Sequence, residues 1–169
     1  MMMRSLPAIA LGLTVLLPNA VAADALARPT GPVVLTISGD IEKTNAEGAA
    51  EFDLEMLEAL PGRETVIDTP WYSGTKTFSG PLISAVLDAV GAGEGALKVI
   101  ALNDYTAEIP RDDVDEYPVI LATRIDGERM SVREKGPSFV IYPFDVDRDL
   151  YSEVIFGRSV WQVAAIEVD

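Results

Sequence analysis

Apolar residues in this chain fall in short runs, and most of the runs favour strands. Val33-Val34-Leu35-Thr36-Ile37-Ser38 is a β-branched run closed by Gly39, which predicts a first strand. Asp40 to Ala50 is polar without a period and reads as a loop of above-median length. Phe52, Met56, Leu57 and Leu60 then recur at helical spacing, with Asp53 or Glu51 favouring the helix start and Pro61-Gly62 the stop. Glu64 to Asp68 predicts a short strand that delivers the chain to Trp71, and Tyr72-Ser73-Gly74-Thr75 reads as a loop. Ser79 is placed as an N-cap and Pro81 in the first turn of a second helix, where its missing donor costs nothing. Leu82, Ile83, Val86, Leu87 and Val90 mark that helix's buried face, and Gly91 ends it.

Leu97 to Leu102 and Thr106 to Ile109 predict strands around an Asn103-Asp104 turn. Arg111 to Glu116 has room for one helical turn. Val119 to Ile125, Asp126-Gly127 and Met130 to Arg133 form a strong hairpin signal. Phe139 to Tyr142 and Val160 to Val168 complete the set. Strands outnumber helices, and the helices lie between early strands. The mixture predicts an α+β fold, a β-rich mixed body carrying two main helices in a single domain over residues 33–169.

The first residues change the picture of where this domain works. Met1-Met2-Met3-Arg4, an apolar run from Leu6 to Leu17 and Ala20-Val21-Ala22 have the basic, hydrophobic and cleavage regions of a secretory signal peptide over 1–22. The apolar run is shorter than the roughly 20 residues a bilayer span needs. Export to the periplasm is therefore expected, with residues 23–32, rich in Ala, Pro and Gly, as a flexible arm.

Charge and composition exclude whole classes of chemistry. Asp and Glu total 27 against 13 Lys and Arg, a formal net charge of −14. That excess repels phosphate backbones, so neither DNA nor any other nucleic acid is an expected partner. The chain has no cysteine and no histidine, which removes disulfides, imidazole bases, Ser-His-Asp and Cys-His devices, and zinc sites of the usual kind. No metal ligand set is predicted. Asp145, Asp147 and Asp149 alternate as in a calcium loop but lack its glycine and terminal glutamate, so a solvated turn explains them better.

Two constellations remain. One is Thr69-Pro70-Trp71 followed by Phe78-Ser79-Gly80-Pro81-Leu82; the other runs from Gly136-Pro137 through Tyr142-Pro143 to Gly157-Arg158-Ser159-Val160-Trp161. From the residues alone, Trp71 is most simply a loop aromatic that plugs the core, although an indole also offers a flat face and a donor to a ligand. Lys135 and Arg158 are either pocket cations or partners of surface carboxylates. In order and spacing, the constellations resemble the oxidoreductase molybdopterin-binding domain family, the sulfite-oxidase-type fold. The resemblance covers about Val33 to Val168.

The resemblance implies a pterin pocket with Trp71 and Tyr105 as aromatic walls and Lys135 and Arg158 supplying charge, framed by Gly136, Pro137 and Trp161. The chain departs from the family twice. It has no cysteine to bond molybdenum, and Phe139 stands roughly where catalytic relatives place an arginine. Together these imply a non-catalytic, periplasmic binder of a pterin or small heterocycle, signalling to a membrane-bound protein of cyclic di-GMP metabolism. The alternative is a molybdopterin-dependent oxidoreductase subunit that holds the cofactor without a cysteine ligand.

Overall fold

A computed structural model describes residues 25–169. The expected signal peptide, 1–22, and the first residues of the expected arm lie outside them. From 25 to 32 the chain lies against the domain. Asn45 Nδ2 donates to the Ala27 carbonyl at 2.7 Å, and the Thr30 and Gly31 amides both donate to Asp53 Oδ2 at 2.8 Å.

The described chain is a strand-rich α+β fold with three sheets. β1 (Leu35–Gly39) buries Leu35 and Ile37 on one face, as its β-branched alternation demands. It pairs antiparallel with β2 (Ala49–Phe52), a strand that takes the end of the expected loop together with Glu51 and Phe52, which were expected to begin the first helix. β3 (Gly62–Thr69) and β4 (Tyr72–Pro81) form a long hairpin, and β5 (Leu97–Ala101) and β6 (Thr106–Ile109) a second. β7 (Ile120–Ala122), β8 (Arg124–Ile125), β9 (Glu128–Arg129), β10 (Phe139–Ile141) and β11 (Val163–Val168) follow. The largest sheet has the order β2-β1-β11-β5-β6, the second β3-β4-β8-β9, and β10 pairs with β7. β11 is the central strand of the largest sheet, parallel to β1 and antiparallel to β5.

Among the described residues, four short helices connect these strands, where two main ones and a single turn over Arg111 to Glu116 were expected. α1 (Leu54–Glu58) starts at Asp53, whose carboxylate accepts the Met56 amide at 2.8 Å. Those N–H bonds, from Met56, Gly31 and Thr30, hold the Asp53 carboxyl below the ordinary carboxylate range. α2 (Ile83–Val90) buries Ile83, Val86, Leu87 and Val90 and stops at Gly91, which sits at φ 62°. α3 (Arg111–Glu116) and α4 (Glu153–Arg158) are each six residues long. Among the described residues, no helix is long and apolar enough to cross a membrane.

The segment before α2 corrects the expectation. Ser79 and Pro81 do not start the helix; they belong to β4, paired with Glu64 and Gly62. A Cβ on Gly80 would collide with the Leu121 carbonyl oxygen, so this part of β4 is pressed against β7. The hairpin after Ile125 turns at Asp126 and Gly127 as expected, with φ of 50° and 85°. Its return strand is only Glu128–Arg129, because Val132–Glu134 coils into a 3₁₀ turn.

Candidate functional site

Where the tips of the two long hairpins meet α4, the surface opens into a cavity of about 260 Å3. It is lined by Trp71, Tyr105, Phe156 and Trp161, with Ala101, Asn103, Ser159 and Val160 between them. Trp71 occupies the tight turn that joins Thr69 to Tyr72 across the β3–β4 hairpin, so a two-residue turn fixes where its ring points. The ring is half-buried and meets Phe139 and Phe156 edge-on, at centroid distances of 5.0 and 5.7 Å.

Tyr105 follows Asp104, whose φ of 65° makes the turn between β5 and β6. Its hydroxyl donates to the Gly157 carbonyl at 2.8 Å, tying this hairpin to the end of α4. Trp161 bridges to Phe139 through the backbone and crosses the Phe139 ring at 90°, 6.1 Å between centroids. Phe139 is fully buried beneath both indoles. An apolar ring here serves as the shared footing of the two tryptophans.

Lys135, Gly136 and Pro137 are not among the residues that line the cavity. Lys135 sits at φ 70°, with Nζ 5.3 Å from the Tyr72 ring centroid and 5.5 Å from that of Trp161. The cation is thereby attracted to both ring faces and braces Trp161 from outside. A Cβ on Gly136 would run into the Met130 carbonyl oxygen, while its amide donates to Ser131 at 2.8 Å. The Gly136-Pro137 corner is thus the tight bend that starts β10.

Arg158 is also spent on structure. Its Nη1 donates to Asp113 Oδ2 at 2.8 Å, and the buried Tyr142 hydroxyl donates to the same oxygen at 2.7 Å. Burial, reinforced by Asp113, pushes the Tyr142 phenol well above its ordinary range. This node joins α3, α4 and the end of β10. Tyr72 is pushed up to about 12 by burial and by Glu134, and its hydroxyl donates to the Glu134 carbonyl at 2.8 Å.

Phe156, Asn103 and Ser159 were not among the residues expected to form the site. Ser159 lay inside the quoted Gly157–Trp161 motif and Asn103 in the predicted turn, so position alone marked them. Phe156 gave no signal, because α4 is too short to show a period. The polar capacity of the cavity is limited. Ser159 donates to the Ile155 carbonyl at 2.9 Å, leaving its lone pairs, and Asn103 Oδ1 accepts the Tyr105 amide at 3.2 Å, leaving its NH2 group. Such a site can stack a flat ring and offer it a few directional hydrogen bonds. Among the described residues, no group of three or more His, Cys, Asp or Glu is placed to hold a metal ion. Compared with known protein families and with curated proteins, the chain matches neither a family model nor a curated sequence.

Proposed function

We propose that this chain is an exported, non-catalytic binder of a pterin or a similar small flat heterocycle, built on a sulfite-oxidase-type molybdopterin-binding fold. In this reading it acts in the periplasm as a sensor or regulator of a membrane signalling partner. One observation carries the reading: a cavity of about 260 Å3 takes its lining from both tryptophans of the chain together with Tyr105 and Phe156. That volume lies just under the roughly 300–1,000 Å3 of ordinary ligand pockets, which suits a compact guest. Edge-anchored indoles supply stacking faces, and Asn103 and Ser159 supply a donor and an acceptor.

The same lining fits a bare ring system better than a phosphorylated one. Arg158 is held by Asp113, and Lys135 lies over the Tyr72 and Trp161 rings, so no Lys or Arg is among the lining residues to meet a phosphate. Since both tryptophans of the chain line the cavity, selectively excited tryptophan fluorescence reports on it. Titration of a pterin panel is expected to quench that emission saturably, and Trp71→Phe and Tyr105→Ala to weaken the response at a temperature where circular dichroism shows both variants fully folded. No saturable response from any pterin would defeat the reading. Stoichiometric molybdenum in protein purified from a molybdenum-replete host would favour the oxidoreductase alternative instead.

A further inference from the structure

A second concavity, about 720 Å3, runs along the free side of β3. β3 is the edge of its sheet among the described residues, and at eight residues it is long for an unprotected edge. The direction of its backbone groups follows from its neighbour. The Thr77 amide donates to Asp126 Oδ1 at 3.0 Å and its carbonyl accepts the Asp126 amide at 2.7 Å, so both point toward β8. Backbone groups alternate sides along a strand, so Lys76 and Phe78 point toward β3, where they face Ile67 and Thr65. Glu64, Val66 and Asp68 therefore present their N–H and C=O groups outward, and no described residue outside the strand pairs with them.

Opposite this edge stand Phe144, Asp145, Arg148 and Tyr151. Val66 is 57% exposed in the middle of the strand, and Tyr151, 49% exposed, borders the groove on the side of Thr65 and Ile67. Two carboxylates, Glu64 and Asp68, flank Val66 on its own face of the strand; across the groove Asp145 is engaged by Arg63 at 2.7 Å and Arg148 stands near it.

We propose that β3 accepts an added strand from a partner protein, an extended segment with an apolar residue flanked two positions away on each side by lysine or arginine. Alternate side chains of an extended segment share a face, so the apolar residue would meet Val66 while the two cations meet Glu64 and Asp68, and the residues between them would turn toward Tyr151. A second copy of this chain fits badly. Antiparallel self-pairing about Val66 would set Glu64 of one copy against Asp68 of the other at both ends, and like charges directly opposite repel. The inference does not depend on what fills the aromatic cavity.

The test uses a fluorescent synthetic peptide in which threonines separate a central valine from a lysine on each side. Saturable binding by anisotropy is expected. It should weaken roughly tenfold in the double variant Glu64→Lys/Asp68→Lys, which turns two attractive cross-strand pairs into repulsive ones. Val66→Pro should abolish it by deleting the outward N–H while leaving the sheet-facing ladder intact. Methylating the valine nitrogen of the peptide blocks the same ladder from the other side, should that variant fold poorly. Three results would overturn the proposal: no saturable binding up to the peptide's solubility limit, undiminished binding by the methylated peptide, or equal binding when both lysines are replaced by glutamates. The carboxylates would then serve only to protect the edge from aggregation.

Discussion

Asp113 offers the sharpest test of how the site is held. Its Oδ2 receives both the Tyr142 hydroxyl and the Arg158 guanidinium, at 2.7 and 2.8 Å. Asp113→Ala would leave a fully buried phenol without an acceptor, at about 1–3 kcal/mol, and would also strip a partner from Arg158, whose side chain is 27% exposed. Together these effects amount to about 3 kcal/mol, a fall in thermal midpoint of roughly 10 °C for a domain of this size. Tyr142→Phe alone should cost about 1 kcal/mol. In the double variant the phenol is no longer there to be orphaned, so the total should fall short of the sum by at least about 1 kcal/mol. The measurement is a double-mutant cycle by chemical denaturation with circular dichroism. Strictly additive effects would refute the shared-acceptor account and with it the idea that this node anchors α4.

Trp71→Ala should cost about 2 kcal/mol, near half the penalty of emptying a fully buried tryptophan site, because the ring is only half-buried; denaturant midpoints check it. Gly136→Ala should destabilise by about 1–3 kcal/mol, since the new methyl meets the Met130 carbonyl oxygen rather than a yielding side chain. Its thermal midpoint should drop without any change in cavity composition. The Asp53 carboxyl is held low by amide donors from Met56, Gly31 and Thr30, so its contribution is complete above the unfolded value of about 3.9 and is lost as pH falls through the lower folded value. Acid titration should show wild-type stability dropping below about pH 4, and Asp53→Asn should be less stable at neutral pH with a shallower acid limb.

Elements with a strong period were legible from sequence, and those set by distant contacts were not. α2 announced itself through Ile83, Val86, Leu87, Val90 and the left-handed Gly91. The Asp126-Gly127 turn did so by its residue types. β4 was hidden because its first half is exposed and polar, with burial beginning only at Phe78 and Pro81. Its strand character comes from pairing with β3 on one side and β8 on the other, and local sequence does not carry that information. Trp71, Tyr105 and Trp161 were singled out in advance and line one cavity. Lys135 and Arg158 were expected to charge that cavity, yet their side chains are taken up by ring faces and by Asp113. Residue type identified the cations; only the three-dimensional arrangement shows what each one touches.

Phe156 is a party wall. One side faces the aromatic cavity, and on the other Tyr151 packs against it at 4.8 Å and Phe144 at 6.0 Å, both of which border the concavity beside β3. Edge-to-face packing on both sides fixes the Phe156 ring, so the aromatic cavity and the β3 groove lean on the same residue. Two hollows that share no lining residue are therefore separated by a single packed side chain.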